Sequence, residues 1–127
     1  MLERAPILIL ASSEAEGREI HQSLALDDGE SLISTPEDAD LFITSSRLGG
    51  MIVGGSCHPN AAKPLVGAYI QHQPCGRIAI LVAEDVTTLA VYIFLGQRVE
   101  AFFTPWRSPE VREFLGIRVA TPVEAAG

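Results

Sequence analysis

Ser12, Ser13 and Ser45 are the residues of this chain best placed to do chemistry. Each follows an apolar run that reads as a strand. Ligands of open α/β sheets bind at the carboxyl ends of the strands. Three hydroxyls gathered there, beside the free N–H groups of a helix start, would form a small polar pocket for an anion. The plainer reading is a helix cap at Ser12 and Ser13 and a solvated loop residue at Ser45. Cys57-His58 and His72-x-x-Cys75 supply four side chains of zinc-ligand type, but their spacings match no finger or ribbon. Cysteine is also often buried as a small hydrophobe, so no metal site and no cofactor are expected. Ser56 follows Gly54-Gly55 without a G-x-S-x-G elbow. An enzyme built on Ser45 or Ser56 would need His58 within hydrogen-bonding reach. Gly49, Gly50, Gly54 and Gly55 make no P-loop, because no Gly-Lys-Ser/Thr follows.

The elements that must position these residues alternate in type. Ile7-Leu-Ile-Leu10 is a continuous apolar run and reads as a buried parallel strand. Ser13 and Glu16 have capping-box spacing, hydroxyl to a free N–H and carboxylate back to the cap. Ile20 and Leu24 then share the inner face of a helix that Asp27-Asp-Gly29 ends. Leu32-Ile33 reads as a second strand, Thr35-Pro-Glu-Asp38 as a turn or one helical turn, and Leu41-Phe-Ile-Thr44 as a third strand. The stretch from Leu48 to Asn60 reads either as a loop with a short extended piece or as a distorted helix. Ala61 to about Gln71 is expected to be helical, with Leu65, Ala68 and Tyr69 inward and Pro64 near the first turn. Ile78 to Val82 is the next buried strand, Thr87 to Leu95 a helix, Phe102-Phe103 a strand, and Pro109 to Leu115 a final helix. Strands alternating with helices predict an α/β sandwich on a parallel sheet with right-handed crossovers.

At 127 residues the chain is expected to be one domain over 1–120, with 121–127 a linker or terminal extension. Hydrophobic residues make up 47% and charged residues 20%, a globular balance. A net charge of −7 repels phosphate backbones and argues against direct nucleic-acid binding. No apolar run approaches a membrane span, no signal-peptide pattern opens the chain, and two cysteines make no disulfide scaffold. A cytoplasmic location is the expectation.

The ordered set of these segments resembles the CheY-like receiver domains of two-component response regulators. The likeness is carried by Arg77-Ile-Ala-Ile-Leu-Val-Ala-Glu-Asp85, Val86-Thr-Thr-Leu-Ala-Val-Tyr-Ile-Phe-Leu-Gly96 and Ala101-Phe-Phe-Thr-Pro-Trp-Arg-Ser-Pro-Glu110. These look like the family's fourth strand, fourth helix, fifth strand and fifth-helix start. Asp40-Leu-Phe-Ile-Thr-Ser-Ser-Arg-Leu-Gly-Gly50 looks like its third strand and following loop. The resemblance implies a (βα)5 flavodoxin-like sandwich with sheet order 2-1-3-4-5. It also implies which positions matter. The phosphoacceptor Asp falls on Ser45, the acidic metal pair on Ala11 and Ser12, and the switch hydroxyl on Val82. The aromatic switch residue falls on Phe102 and the strand-ending Lys on Pro105.

Those substitutions act together. Mg²⁺ wants hard oxygen ligands, which Ala11 lacks and Ser12 supplies only as a neutral hydroxyl. A serine forms no acyl phosphate, Val82 cannot bond a phosphoryl oxygen, and Pro105 brings no cation. The expectation is a degenerate (pseudo-receiver) domain that is no enzyme and acts by phosphorylation-independent contact with a protein partner or a second copy. Receivers commonly pair through the fourth helix, fifth strand and fifth helix. The helix over Thr87–Leu95 carries Val91, Tyr92 and Leu95 in addition to its inward stripe, more apolar surface than one core needs. Trp106 and Arg107 follow and are of interface hot-spot types. The rival expectation is a small-ligand sensor, for an anion or nucleotide, using Ser12, Ser13 and Ser45. Glu84 and Asp85 read as an acidic first turn that favours the helix dipole.

Overall fold

The computed structural model describes residues 5–26, 29–55, 59–73, 76–82, 99–103 and 106–117. Five strands form one parallel sheet: β1 (Ile7–Leu10), β2 (Ser31–Ser34), β3 (Gly50–Val53), β4 (Arg77–Val82) and β5 (Val99–Phe103). Their spatial order is β2-β1-β3-β4-β5, as the sequence predicts. Register is fixed by an apolar set on each face. Leu8, Leu10, Met51, Val53, Ile78, Ile80 and Val82 face one way, and Ile7, Ile9, Ile52, Ala79, Leu81 and Phe102 the other. A one-residue slip of any central strand would exchange its two sets.

Two helical layers cover these faces. α1 (Glu14–Ser23) and α4 (Ser108–Leu115) bring Ile20, Val111 and Leu115 onto the second set. α2 (Pro36–Ser45) and α3 (Pro59–His72) bring Ala39, Ile43, Ala62, Leu65, Val66 and Tyr69 onto the first. Each fully buried Leu or Ile contributes about 1.5–3 kcal/mol relative to exposure. α1 lies close against β2 because Gly17 has no side chain: a Cβ there would collide with Ile33 Cγ2. Arg112 of α4 donates to Leu24 O and, at 3.3 Å, to Ala25 O, which ties the end of α1 to α4. Gly116 then ends α4 in the left-handed region at φ 78°.

Two expectations are corrected here. Leu41–Thr44 is not the third strand but the second half of α2. Pro36 at the helix start and Glu37 and Asp38 in the first turn favour a helix. Ala39 and Ile43, one turn apart, bury its inner face while Leu41 points to solvent. The third strand is Met51-Ile-Val53 with Gly50, the short extended piece of the stretch that reads either as a loop with such a piece or as a distorted helix. Gly50 is buried between β1 and β4, where a Cβ would lie 3.0 Å from Ile7 Cδ1 and 3.1 Å from Arg77 O. α3 also starts earlier than expected, so Pro64 lies in its interior rather than its first turn.

A buried amide ties together the carboxyl ends of α2 and α3. Gln73 accepts from Leu48 N–H at 3.0 Å and donates to Ile43 O at 2.7 Å and Ser46 O at 2.8 Å. The helix expected over Thr87–Leu95 lies outside the described residues. No described helix is long and apolar enough to cross a membrane.

Candidate functional site

The carboxyl end of the sheet is where this fold places its chemistry. β1 ends at Leu10, so buried Ala11 and exposed Ser12 stand at the mouth of the sheet, where the sequence puts the acidic pair. Ser13 caps α1: its hydroxyl accepts from the Glu16 backbone N–H at 3.2 Å. The Glu16 carboxylate reaches back one residue further than an ordinary capping box. Its Oε1 accepts from Ser12 N–H at 2.9 Å and from the Ser12 hydroxyl at 3.0 Å.

The acceptor position of a receiver follows its third strand. With β3 at Gly50–Val53, that position is Gly54, not Ser45. Gly54 is buried, and its N–H donates to Leu10 O at 2.8 Å. A Cβ built there would lie 2.9 Å from the Glu16 carboxyl carbon and 2.9 and 3.0 Å from its two oxygens. The Glu16 carboxylate thus occupies the space that a side chain at position 54 would take. Position 54 carries no side chain, and the Glu16 side chain from α1 fills the gap.

Ser45 lies elsewhere. It is the last residue of α2, exposed, and its hydroxyl donates to Leu41 O. α2 runs back from the end of β2, so Ser45 sits toward the opposite end of the sheet from Ser12 and Ser13. The three-serine cluster does not form. Ser12 and Ser13 serve the cap, and a carboxylate already stands where a bound anion would sit.

The switch positions are also separated. Val82, at the end of β4, belongs to the α2–α3 face, whereas Phe102 belongs to the α1–α4 face. Phe102 packs edge-on against Phe114, with ring centroids 5.5 Å apart. Side chains alternate along a strand, and the β5 residues sharing the Val82 face are Ala101 and Phe103, with Phe103 the register partner of Val82. A hydroxyl–aromatic relay needs both members on one face; here the aromatic on that face is Phe103 and the hydroxyl is missing, because Val82 stands in its place.

Of the expected interaction residues, Trp106 is half-buried against the α1–α4 core. Arg107 is exposed and lies 4.0 Å from Glu110. Pro105, Val91, Tyr92 and Leu95 lie outside the described residues, as do Ser56, Cys57, His58 and Cys75. Among the described residues, no three His, Cys, Asp or Glu side chains gather as a metal site would require. Sequence reasoning missed Glu16 as a pocket residue and Gly54 as the acceptor position. The signal was the Ser13/Glu16 spacing, which brings the carboxylate back toward the end of β1.

No family profile and no curated protein matches the sequence. A solved structure does: a response regulator receiver protein from Pseudomonas putida, at a TM-score of 0.68 and 15% identity, over 93% of this chain and 100% of that one. With its sheet order and its two helical layers, the chain has the receiver fold.

Proposed function

We propose that this chain is a pseudo-receiver: a receiver-fold module that works by phosphorylation-independent protein contact, in bacterial-type cytoplasmic signal transduction. The observation that carries this reading is the Glu16 carboxylate standing over Gly54. A phosphorylatable site needs a nucleophilic carboxylate on β3, a bound cation and room for a phosphoryl group. Here the nucleophile is absent, neither Ala11 nor Ser12 is a carboxylate ligand, and the room holds a hydrogen-bonded anion. Val82 supports the same reading, since it brings no hydroxyl to Phe103, the aromatic beside it on β5. The activity is binding rather than catalysis.

The contact surface on this reading is the face built by the segment with Val91, Tyr92 and Leu95 together with β5 and α4. Support comes from Phe103 at the end of β5, which stays 45% exposed, and from Trp106 and Arg107 beside it. The partner is a second copy or a regulatory protein. Sedimentation of the chain, before and after incubation with acetyl phosphate and Mg²⁺, tests the independence from phosphorylation. The expected result is one sedimentation profile in both conditions. A change of assembly state that requires the phosphodonor would overturn the proposal.

A further inference from the structure

β2 is an outer strand of the sheet. Ile7 N–H donates to Glu30 O at 2.8 Å and Ala11 N–H to Ser34 O at 2.9 Å. The even-numbered residues of this segment therefore turn their backbone groups toward β1. Backbone direction alternates along a strand, so Ser31 and Ile33 turn theirs to the open edge. Among the described residues, no strand pairs with that edge.

A groove of about 490 Å³ runs beside it, lined by Ile33 and Ser34 of β2, by Asp38, Leu41 and Phe42 of α2, and by Glu14 at the start of α1. Two features of the lining point to an occupant. Leu41 is 67% exposed, the most exposed of the large apolar side chains described. The charge is acidic: Glu14 is paired with Arg18 at 2.7 Å, whereas Asp38 has no cation partner among the described residues.

We infer that the β2 edge docks an extended segment of a partner protein that carries an apolar and a basic residue two positions apart, on one face of the strand. The segment adds a strand, bonding to the outward groups of Ser31 and Ile33. An apolar side chain packs on Leu41 and Phe42, and a Lys or Arg two residues away, on the same face of the added strand, meets Asp38. A second copy of this chain fits poorly. Its own edge, Glu30-Ser-Leu-Ile-Ser34, carries no cation, and edge-to-edge pairing would set Glu14 and Asp38 of both copies near each other in a chain of net charge −7. This surface is independent of the acceptor pocket, so it stands whether or not the phosphorylation reading does.

Fluorescence anisotropy with labelled peptides of about six residues, an ordinary strand length, tests the inference on the whole chain. One peptide carries Lys and Val in turn at every second position with Thr between them (the Lys/Val peptide), a second has Glu in place of Lys, and a third has Pro in place of Thr (the Lys/Pro peptide); the third keeps the charge but cannot form a strand ladder. Saturable binding of the Lys/Val peptide is expected, with the other two about tenfold weaker or worse. Asp38→Asn should weaken the Lys/Val peptide about threefold, and Leu41→Glu about tenfold. Both positions are exposed, and unchanged melting temperatures confirm that the variants fold. The inference is overturned if the Lys/Val peptide does not bind, if the Lys/Pro peptide binds equally well, or if neither variant weakens binding. It is also overturned if the unliganded chain is a dimer that Leu41→Glu dissociates, because the occupant is then a second copy.

Discussion

Replacing Gln73 by Leu should destabilise the domain by about 3 kcal/mol and lower its melting temperature by about 10 °C. The side chain is 5% exposed and makes three hydrogen bonds to backbone groups of another segment. Leucine fills similar volume, so the loss is not mainly a cavity. It comes from Leu48 N–H and the carbonyls of Ile43 and Ser46, which lose a partner in a poorly hydrated place. Gln73→Glu should fare no better, since a carboxylate cannot donate to the two carbonyls. Gln71→Leu, two residues away and exposed, serves as the control and should change stability by less than about 0.5 kcal/mol. Urea denaturation of the three variants checks this. A Gln73→Leu variant as stable as the Gln71→Leu control would show that the amide does not hold the α2–α3 layer.

The second large effect is expected in the filled pocket. Gly54→Asp should cost about 2 kcal/mol at neutral pH, because the new Cβ needs the space of the Glu16 carboxylate. Glu16 must then swing out, losing its bonds to Ser12, and two carboxylates share one small site. Glu16→Ala alone should cost about 1 kcal/mol, the scale of a helix cap. In the double variant the space is clear and only one negative charge remains, so the two costs should fall short of additivity by about 1 kcal/mol or more. Additive costs would mean that Glu16 does not occupy the acceptor space.

Much of the frame is legible in the residues, and the misreading has a local physical cause. Ile7–Leu10 and Ile78–Val82 are apolar runs of strand length, and the central sheet positions they imply are the ones they take. Ser13 and Glu16 announce the α1 start correctly. Leu41-Phe-Ile-Thr44 is equally apolar, but four residues cannot separate period 2 from period 3.6. The decisive information lies outside the run, in Pro36 and in the Ala39–Ile43 spacing. Gly50 and Gly54 carry the opposite signal: they look like loop residues, yet Gly50 opens β3 and Gly54 directly follows it, buried. They are small because Ile7, Arg77 O and the Glu16 carboxylate crowd the sites a Cβ would take. Such crowding is tertiary, so nothing adjacent in the chain reports it. Moving β3 from Leu41–Thr44 to Gly50–Val53 moves the acceptor position from Ser45 to Gly54, and the separation of Val82 from Phe102 follows from β5 register in the same way. The Gln73 bonds span 25 to 30 residues and are equally invisible locally.

These corrections strengthen one inference drawn from composition. A serine in the acceptor place would still be a hydroxyl; a glycine brings no side chain, and the Glu16 carboxylate beside it accepts two hydrogen bonds from Ser12. Intact-mass spectrometry of the whole chain after incubation with acetyl phosphate and Mg²⁺ tests this most directly. The account predicts an unchanged mass. A stoichiometric, Mg²⁺-dependent gain of one phosphoryl group, removed by hydroxylamine as acyl phosphates are, would contradict it.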